Sequence, residues 1–538
     1  MTAAVLAAVI LFALATVPPR PQIVDTAGID PDLAKRTIPG AYHIHTTRSD
    51  GAADTATIAA AAARAGLKFI ITTDHGDATR WPDPPVYVAG VLCIDAVEIS
   101  TNGGHYVALG MAPSPYPLGG DPSAVVEDVA RLGGFGIAAH PESARASLAW
   151  SDWEAPIDGL EWLNADSEWR DESRATLARV LFDYAFRPAP ALASMLDRPV
   201  TTLERWDDLA QDRPIVGLAA HDAHGGIGRA VEEGGARKRT LGHVPSYEAS
   251  FRTFSDNVIL NAPLTGDPGA DAREVLHAIR HGRVFTVINA IATPGLVDVR
   301  AGKGSISVKA SLPPDAEIVV VANGREIDRA GTPELVSRLD PGVRSARVEV
   351  RVPRAPGTPP VPWLVTNPVY FLPAAPPTAS VAPPTAIVPL RGDPGWHVEK
   401  DPHSAATMRA ASQEVSLRYT LASGAKASQF AALVADLKGA LPAFRQVLFS
   451  ASATRPSRVS VQLRFPAGGG ERWGSSVYLD ATAREFGVAV DRMRPLDRQS
   501  GPPPDPASAS SVLFVVDLTN ARPGDANAFT VRDVRLAR

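Results

Sequence analysis

The sequence has a single cysteine, Cys93, among its 538 residues. A single thiol cannot form an intramolecular disulfide. A chain with one cysteine also cannot form a zinc finger built on several cysteines. A strong charge of one sign is lacking as well, because 53 basic residues against 58 acidic ones leave a net charge of -5. No overall positive field is available to recruit nucleic acid, so the sequence gives no strong nucleic-acid signal, and a polyanionic partner would need a local positive site such as bound metal ions.

Long hydrophobic runs are lacking except at the N-terminus. Residues 2–17, TAAVLAAVILFALATV, form one uncharged run that is shorter than the roughly 20 residues needed to span a bilayer. Residues 1–20 are therefore predicted to be a signal peptide, cleaved after about Ala15, or an uncleaved membrane anchor. Because the positively charged start of a signal is missing, a plain apolar helix is the alternative. We expect a periplasmic or secreted protein, or one anchored to the membrane by this segment.

Predicted strands and helices alternate from about residue 38 to residue 290, which is typical of an α/β domain. Asp54 can cap a helix that runs through Ala65 and ends at Gly66. A continuous apolar strand, residues 67–73, follows and ends in Asp74-His75. Further strands are predicted at 91–99, 105–109, 136–139, 160–163 and 215–220.

Histidines and acids collect where these strands end, and in a barrel of parallel strands the chemistry gathers at the C-terminal ends of the strands. Nine of them form the candidate ligand set: His43, His45, Asp50, His75, Glu98, His105, His140, Asp222 and His224. On an extended strand residues i and i+2 point the same way, so His43/His45 and Asp222/His224 each aim two donors at one point. Imidazole and carboxylate ligands suit zinc, manganese or iron(II). The sequence therefore predicts a metal centre.

The order of these motifs resembles that of the PHP (polymerase and histidinol phosphatase) domain. The matching stretches are Tyr-His-Ile-His with Ser49-Asp50-Gly51, then Thr73-Asp74-His75, Glu98 with Gly104-His105, Ala139-His140-Pro141 and Asp222-Ala223-His224. The resemblance covers about residues 38–290. It implies a distorted seven-stranded β/α barrel, similar to a TIM barrel, that holds two or three divalent metal ions and belongs to a superfamily of phosphoesterases.

The resemblance also implies which side chains hold each ion. His43, His45 and Asp222 would hold one, and Glu98 would bridge it to a second held by His105 and His140. The third would be held by Asp50, His75 and His224. Glu98 and Asp222 are accordingly counted among the catalytic residues.

Two residues depart from the family pattern, and both are candidates for a catalytic role. Arg48 lies inside the first motif, where it can stabilise a phosphoryl group. His221 stands where the family usually has a small residue, and it is a candidate proton donor, although strand alternation points it away from the metals. A glycine-rich loop after His224 carries further cations that can contact a substrate phosphate, the alternative being a solvated loop. These cations are Arg229, Arg237, Lys238 and Arg239.

After residue 295 the pattern changes to short alternating strands. Residues 295–371 are predicted to form a small β-sandwich, residues 372–394 a proline-rich linker, and residues 395–538 a second β-sandwich. The closing stretch, 514–534, resembles the end of jelly-roll carbohydrate-binding modules. That resemblance implies carbohydrate contact by this domain, and a packing role is the alternative.

The function expected from these features is hydrolysis of a small phosphate monoester or phosphodiester by a metal-activated hydroxide. One alternative is a metal-binding protein with weak catalysis, whose C-terminal β-domains bind a carbohydrate or another surface partner. Hydrolysis of amide or lactone bonds is a third hypothesis, since it shares the His-x-His opening. It is weakened by the later motifs, which follow the PHP order.

Overall fold

The fold was analysed in a computed structural model of the full chain. The structure describes residues 2–538 except 230–238, 243, 303, 372–386, 390–394, 412–413, 438–440, 442, 467–469 and 497–503. Most of the predicted linker, and the candidate cations Arg237 and Lys238, lie outside the described residues. Contacts divide the chain into two compact units. The first consists of Met1–Gly76, Trp81–Ala112 and Val129–Pro376, and the second of Asp77–Arg80, Pro113–Asp128 and Pro377–Arg538.

Helices and strands alternate through the first part of the chain. The helices are α1 Thr2–Thr16, α2 Pro31–Arg36, α3 Thr55–Ala65, α4 Pro122–Arg131, α5 Ala165–Arg170, α6 Arg174–Tyr184, α7 Pro188–Ala193, α8 Val200–Asp212, α9 Tyr247–Phe251 and α10 Pro268–Arg280. The strands are β1 Gln22–Ile23, β2 Thr37–Ile44, β3 Phe69–Thr72, β4 Val86–Val88, β5 Val91–Asp95, β6 Val97–Thr101, β7 Gly104–Leu109, β8 Phe135–Ala138, β9 Gly159–Asn164, β10 Val216–Ala223, β11 Ile227–Arg229, β12 Arg239–Gly242, β13 Ser255–Ile259, β14 Val284–Val287 and β15 Ala292–Thr293.

Helix α3 shows how local sequence sets these bounds. The Asp54 side chain accepts a hydrogen bond from the backbone N–H of Thr57 at the start of the helix. Gly66 ends it in the left-handed conformation, at φ 86°. The prediction of a helix between Asp54 and Gly66 is confirmed.

Strand pairing in the first unit is mixed in direction. β2 lies parallel to β3 and β10, β3 lies parallel to β5, and β6 continues β5 after Ala96. β6 and β7 are antiparallel, as are β7 and β8, whereas β8 and β9 are parallel and β9 pairs in parallel with β10. The predicted strand 91–99 is therefore two strands. The expectation that all these strands run parallel is wrong at β7.

Buried side chains alternate between the two faces of the central strands. Tyr42, Phe69 and Ile71 belong to one apolar cluster, whereas Ala41 and Ile70 belong to a second that includes residues of α3. A strand covered on both faces needs apolar residues at every position, and this explains the continuous apolar runs of β3 and β5. Only their ends carry polar side chains.

The strands expected as a separate small sandwich belong to the first compact unit. They are β16 Val297–Gly302, β17 Ser305–Ala310, β18 Glu317–Ala322, β19 Arg325–Ala330, β20 Glu334–Arg338, β21 Ser345–Arg351, β22 Leu364–Thr366 and β23 Val369–Tyr370. β22 pairs with both β21 and β14, so it joins β18, β19, β21 and β23 to the sheet that contains β2. β16, β17 and β20 form a separate three-stranded sheet.

The second unit contains two six-stranded antiparallel sheets, in the orders β26-β27-β35-β29-β32, with β24 on β35, and β25-β28-β34-β30-β31-β33. The strands are β24 Ile387–Pro389, β25 His397–Lys400, β26 Ala405–Ala411, β27 Glu414–Thr420, β28 Phe430–Asp436, β29 Gln446–Ala453, β30 Ser457–Arg464, β31 Arg472–Leu479, β32 Arg484–Ala489, β33 Arg494–Pro495, β34 Ser511–Asp517 and β35 Ala526–Ala537. Both sheets contribute to one apolar core, as in a β-sandwich.

The apolar run at the N-terminus forms helix α1. Its Phe12 ring lies edge-on to Phe182 of α6, with the ring centroids 5.0 Å apart, and Thr16 donates a hydrogen bond to Asp183. In the described part of the chain, no helix is both long enough and apolar enough to cross a membrane.

Candidate metal centre

The nine candidate ligands, which lie on separate strands and loops, come together in the first unit. Their ligand atoms form four groups of three in which all atoms lie within 4.8 Å of one another. The groups are His43/Glu98/His140, His43/His45/Asp222, His45/Asp50/His75 and His75/Glu98/His105. His224 joins them through Asp50, its Nε2 lying 3.1 Å from Asp50 Oδ2.

Four buried atoms have the spacing of metal ligands. His45 Nε2 lies 3.2 Å from Asp222 Oδ1 and 3.4 Å from Glu98 Oε2. His43 Nε2 lies 3.6 Å from the same aspartate oxygen and 3.3 Å from the same glutamate oxygen. Ligands about 2.1 Å from a tetrahedral zinc ion lie roughly 3.4 Å apart. The residues present therefore fit a divalent ion.

Three of these four atoms have no hydrogen-bond partner among the described residues. They are His43 Nε2, Glu98 Oε2 and Asp222 Oδ1, and all are shielded from solvent. A buried polar atom without a partner costs free energy, roughly 1–3 kcal/mol. A bound cation would satisfy all three at once.

Glu98 is the carboxylate with the most partners in the cluster. Its Oε1 lies 2.7 Å from His105 Nδ1 and 2.9 Å from His140 Nε2, and its Oε2 lies 3.0 Å from His75 Nδ1. The same Oε2 also faces His43 and His45. Glu98 therefore lies close to at least one histidine of each of the four groups. This arrangement suits a carboxylate that bridges two ions.

Irregular backbone aims several of these side chains. The register between β10 and β2 shifts between Ala220 and Ala223, so the strand bulges at Asp222. Left-handed φ values occur at His43 (61°), His140 (31°) and Asp222 (44°). A non-glycine residue with positive φ is uncommon, and strained backbone of this kind gathers at functional sites.

Charge in the cluster favours cations. Burial alone would lower the pKa of His43, but the carboxylates of Glu161, Asp222 and Glu98 raise it well above its ordinary value. Burial would raise the pKa of Glu98, yet the surrounding histidines hold it well below its ordinary value. The pKa of His75 rises to about 9 in spite of burial, mainly because of Glu98. A site that stabilises protons on histidine in this way also stabilises a metal cation in their place.

Glu161 contacts two candidate ligands, although no motif in the sequence pointed to it. Its Oε1 lies 2.5 Å from Nδ1 of His43, and its Oε2 accepts hydrogen bonds from the backbone N–H of His140 and from Asn164. A carboxylate that accepts a hydrogen bond from Nδ1–H fixes the orientation of the ring and leaves Nε2 available as a metal ligand. The available signal was a single acid inside the apolar strand β9, GLEWLN.

Two further residues support the loop after β2. Asp74 accepts hydrogen bonds from the backbone N–H and hydroxyl of Thr46 and from the Ser49 hydroxyl. Tyr247 donates its hydroxyl proton to the backbone carbonyl of His45, at 2.7 Å. Its ring also lies where a Cβ on Gly225 would stand, 2.0 Å away, so this position admits only glycine.

The two additional catalytic candidates, His221 and Arg48, contact residues outside the ligand set. His221 is buried and stacked on Phe254, and burial together with the charge of His43 lowers its pKa to about 3. A ring that stays neutral at pH 7 is a poor proton donor, as strand alternation already suggested. The guanidinium of Arg48 forms ion pairs with Asp83 and Asp95. Its charge is engaged by carboxylates outside the ligand set.

Arg229 and Arg239 lie opposite each other in the short antiparallel pair β11–β12. A cavity lies beside the candidate ligands, and another arginine, Arg170, borders it. Arg170 of α5 lines it together with Asp222 and His224, and it forms an ion pair with Asp166. Burial alone would lower the pKa of Arg170, but Asp166 and the ligand carboxylates Asp222 and Asp50 raise it. No motif in the sequence pointed to this arginine.

Comparison with known proteins gives matches among solved structures alone. No model of a protein family matches the chain, and no curated protein sequence matches it. One similar structure is a two-domain protein from Bacteroides vulgatus that contains a predicted PHP-like metal-dependent phosphoesterase. It is 13% identical, the match covers 65% of this chain and 99% of that one, and the TM-score is 0.28.

Other similar structures are carbohydrate-binding modules. A family 11 module from Clostridium thermocellum, in complex with a mixed-linked tetrasaccharide, is 16% identical over 28% of this chain and 94% of its own, with a TM-score of 0.23. A family 29 module is 9% identical over 28% of this chain and 89% of its own, with a TM-score of 0.19. What these proteins bind or catalyse is said of them and not of this chain.

Proposed function

We propose that this chain is a metal-dependent phosphoesterase that hydrolyses a small phosphate monoester or phosphodiester. The observation that carries the proposal is the set of four buried ligand atoms at coordination spacing, three of them without a hydrogen-bond partner in the described structure. A PHP-type distorted barrel is the fold proposed for the strands that lead from β2 through β3, β5–β6, β7, β8 and β9 to β10 and back to β2.

The side chains divide into overlapping ligand sets. His43, His45 and Asp222 would hold one ion, Glu98 would bridge to a second with His105 and His140, and Asp50, His75 and His224 would hold the third. Zinc, manganese or iron ions, when bound in pairs, supply Lewis acidity and lower the pKa of water, which is the chemistry that phosphoester hydrolysis requires. Glu161 and Asp74 contribute by fixing the orientation of His43 and of the loop that carries His45.

Arg170 supplies the positive charge for an anionic substrate. It borders the same cavity as Asp222 and His224, and it is paired with Asp166, a residue outside the ligand set. A planar guanidinium can form two parallel hydrogen bonds to phosphate oxygens, and it stays charged at any physiological pH. Its position favours an anionic ester over an amide or lactone.

An extracytoplasmic location is part of the proposal. The supporting feature is the uncharged apolar segment that forms α1, Thr2–Thr16. Fractionation of cells that express the full chain, with N-terminal sequencing of the product, tests it. Recovery of the uncleaved chain in the cytosol would exclude this location and leave the proposed chemistry intact.

The central test combines metal analysis with a phosphatase screen. Purified protein should contain roughly two to three divalent ions per chain and hydrolyse small phosphate esters in added manganese or zinc. Replacing both His43 and His45 by alanine should abolish turnover and reduce bound metal. The matched control is the double replacement of His277 and His281, a histidine pair of α10 and its C-terminus.

Two results would reject the proposal in different ways. Less than one ion per chain after mild purification would remove the metal centre itself. Stoichiometric metal with no turnover on any phosphate ester would favour the alternative, a metal-binding protein with weak catalysis.

A further inference from the structure

A cavity of about 150 Å³ lies beside the candidate metal centre, within the first compact unit. Helix α5, the chain around the end of α7, the end of β10 and the residues that follow α9 surround it. Asp222 and His224 form one end of it. The cavity therefore opens beside the candidate ligands, within reach of an ester whose phosphate is held at the metal centre.

The walls away from the ligands are mostly apolar. Leu192, Met195 and Leu196 line one side, with exposed fractions of 7%, 5% and 2%. Phe254 lines another, and Trp169 adds a second aromatic side chain. Such walls bind apolar surface and gain little from a hydrated polar chain such as a sugar.

The polar residues that line the cavity are Asp166, Arg170, His221, Asp222, His224, Ser250 and Thr253. Arg170 and its partner Asp166 stand near the ligands. His221 borders the cavity with its ring stacked face to face on Phe254, the two centroids 4.1 Å apart and the planes 2° from parallel. Neither ring nitrogen of His221 has a hydrogen-bond partner among the described residues. Apolar walls next to convergent polar groups are the usual form of a site for a small organic molecule.

We propose that this cavity is the subsite for the alcohol part of the phosphate ester and that it accepts a single aromatic ring. The proposal rests on the proposed phosphoesterase function. Its basis is volume together with wall chemistry, since an apolar protein cavity of about 150 Å³ accommodates one benzene molecule. A nucleoside, with a base and a sugar, exceeds this volume. The substrate class is therefore a compact monoester of an arylmethyl or similar ring-bearing alcohol.

The test compares benzyl phosphate with ethyl phosphate on the full-length chain in manganese. Both leaving groups are simple alkoxides, so the ratio of their kcat/KM values reports mainly how the ring is bound. Burial of a phenyl ring should favour benzyl phosphate by at least about ten-fold. 1-Naphthylmethyl phosphate, with two fused rings, should lose that advantage.

Variants locate the preference in the cavity. Leu192→Trp fills it and should bring the benzyl-to-ethyl ratio close to one. Leu181→Trp is the matched control, because Leu181 is 43% exposed on α6 and does not line the cavity, and the ratio should stay at its original value. If circular dichroism shows that Leu192→Trp is unfolded, Ala165→Leu, at the edge of the cavity, is used in its place.

The outcomes separate the two proposals. Equal kcat/KM for benzyl and ethyl phosphate would overturn the ring subsite and leave the phosphoesterase function standing. Hydrolysis of neither ester would count against the function, and calorimetry with benzylphosphonate and ethylphosphonate then decides on the subsite. At least about ten-fold tighter binding of benzylphosphonate supports the subsite, and equal binding rejects it.

Discussion

Three candidate ligands, His43, His140 and Asp222, hold backbone conformations that cost free energy. Left-handed φ at a non-glycine residue costs on the order of 1–3 kcal/mol, so the surrounding structure must enforce it. Glu161 holds both histidines in these conformations. One of its oxygens contacts the His43 ring, and the other accepts a hydrogen bond from the backbone N–H of His140. One buried carboxylate therefore fixes two strained ligands at once.

Replacing Glu161 tests this positioning role. Glu161→Gln keeps the shape of the side chain but removes the negative charge from the group that accepts the hydrogen bond of His43 Nδ1–H. We expect metal affinity to fall by about 10–100-fold, as for other residues that orient metal ligands. Calorimetric titration with zinc or manganese measures the fall, and excess metal should restore most of the turnover.

Glu142→Gln is the matched control, because Glu142 accepts hydrogen bonds from Thr202 and has no contact with a candidate ligand in the described structure. It should leave metal affinity unchanged. An equal fall in both variants, or turnover in Glu161→Gln that excess metal does not restore, would contradict a positioning role for Glu161.

Replacing Glu98 and replacing His75 should remove different amounts of bound metal. Glu98→Gln should remove more than one ion per chain, since its two oxygens face five histidines. His75→Gln should remove about one, because His75 stands at the more exposed edge beside Asp50. Elemental analysis of both proteins against the parent checks the difference. Equal losses would mean that Glu98 does not bridge.

The candidate ligands could be predicted from the sequence, whereas their supporting residues could not. Ligands such as His45 and His75 stand at strand ends in a recognisable order, and strand ends meet in space. Glu161 and Arg170 lack such a pattern. Their roles follow from which helix or strand packs beside which, and a single sequence does not carry that information.

At the scale of elements, the direction of β7 is the main departure from the predicted arrangement. An apolar strand reads the same in either direction, so its sequence predicts the strand but not its orientation. The tight connection from Thr101 to Gly104 makes β6 and β7 a hairpin. As a result His105 lies at the start of β7, and it still reaches Glu98 on the neighbouring strand.

Strand β21 carries a buried ion cluster that stabilises the first unit. Glu349 is fully buried and accepts hydrogen bonds from Arg198, Arg347 and Arg351. Glu349→Gln removes the carboxylate that these three arginines share in the described structure, so we expect the free energy of unfolding to fall by about 3 kcal/mol. Chemical denaturation measures it. The control Glu334→Gln, in an exposed pair with Lys309, should cost less than about 1 kcal/mol.

The same residue predicts a pH dependence. Burial would raise the pKa of Glu349, but the three arginines hold it well below its ordinary value. A lowered pKa in the folded state means that the contribution is complete above the ordinary value, about 4.3, and is lost as the pH falls toward the folded value. The stability difference between parent and Glu349→Gln should therefore be constant near neutrality and shrink below about pH 4.

At the scale of the whole molecule, the second unit is discontinuous in sequence. It was expected to be residues 395–538, separated by a linker, but it also includes Pro113–Asp128. Within this unit Arg458 donates hydrogen bonds to the buried carboxylate of Asp128 at 2.8 and 2.9 Å, and Asn520 donates to the carbonyl of Pro117. Sequence composition finds linkers, but it gives no sign of a distant segment that completes a domain.

Truncation gives the sharpest test of this division. In the full chain, Asp128→Asn takes the charge partner from the buried Arg458 and should lower the stability by about 3 kcal/mol. In a chain that ends at residue 376 there is no Arg458, and Asp128 is left without its cation. The same substitution should then leave the stability unchanged or raise it. Thermal unfolding of the four proteins, followed by circular dichroism, measures both effects. An equal loss in both chains would mean that Asp128 stabilises the first part of the chain by itself, and that residues 113–128 do not depend on the C-terminal sheets.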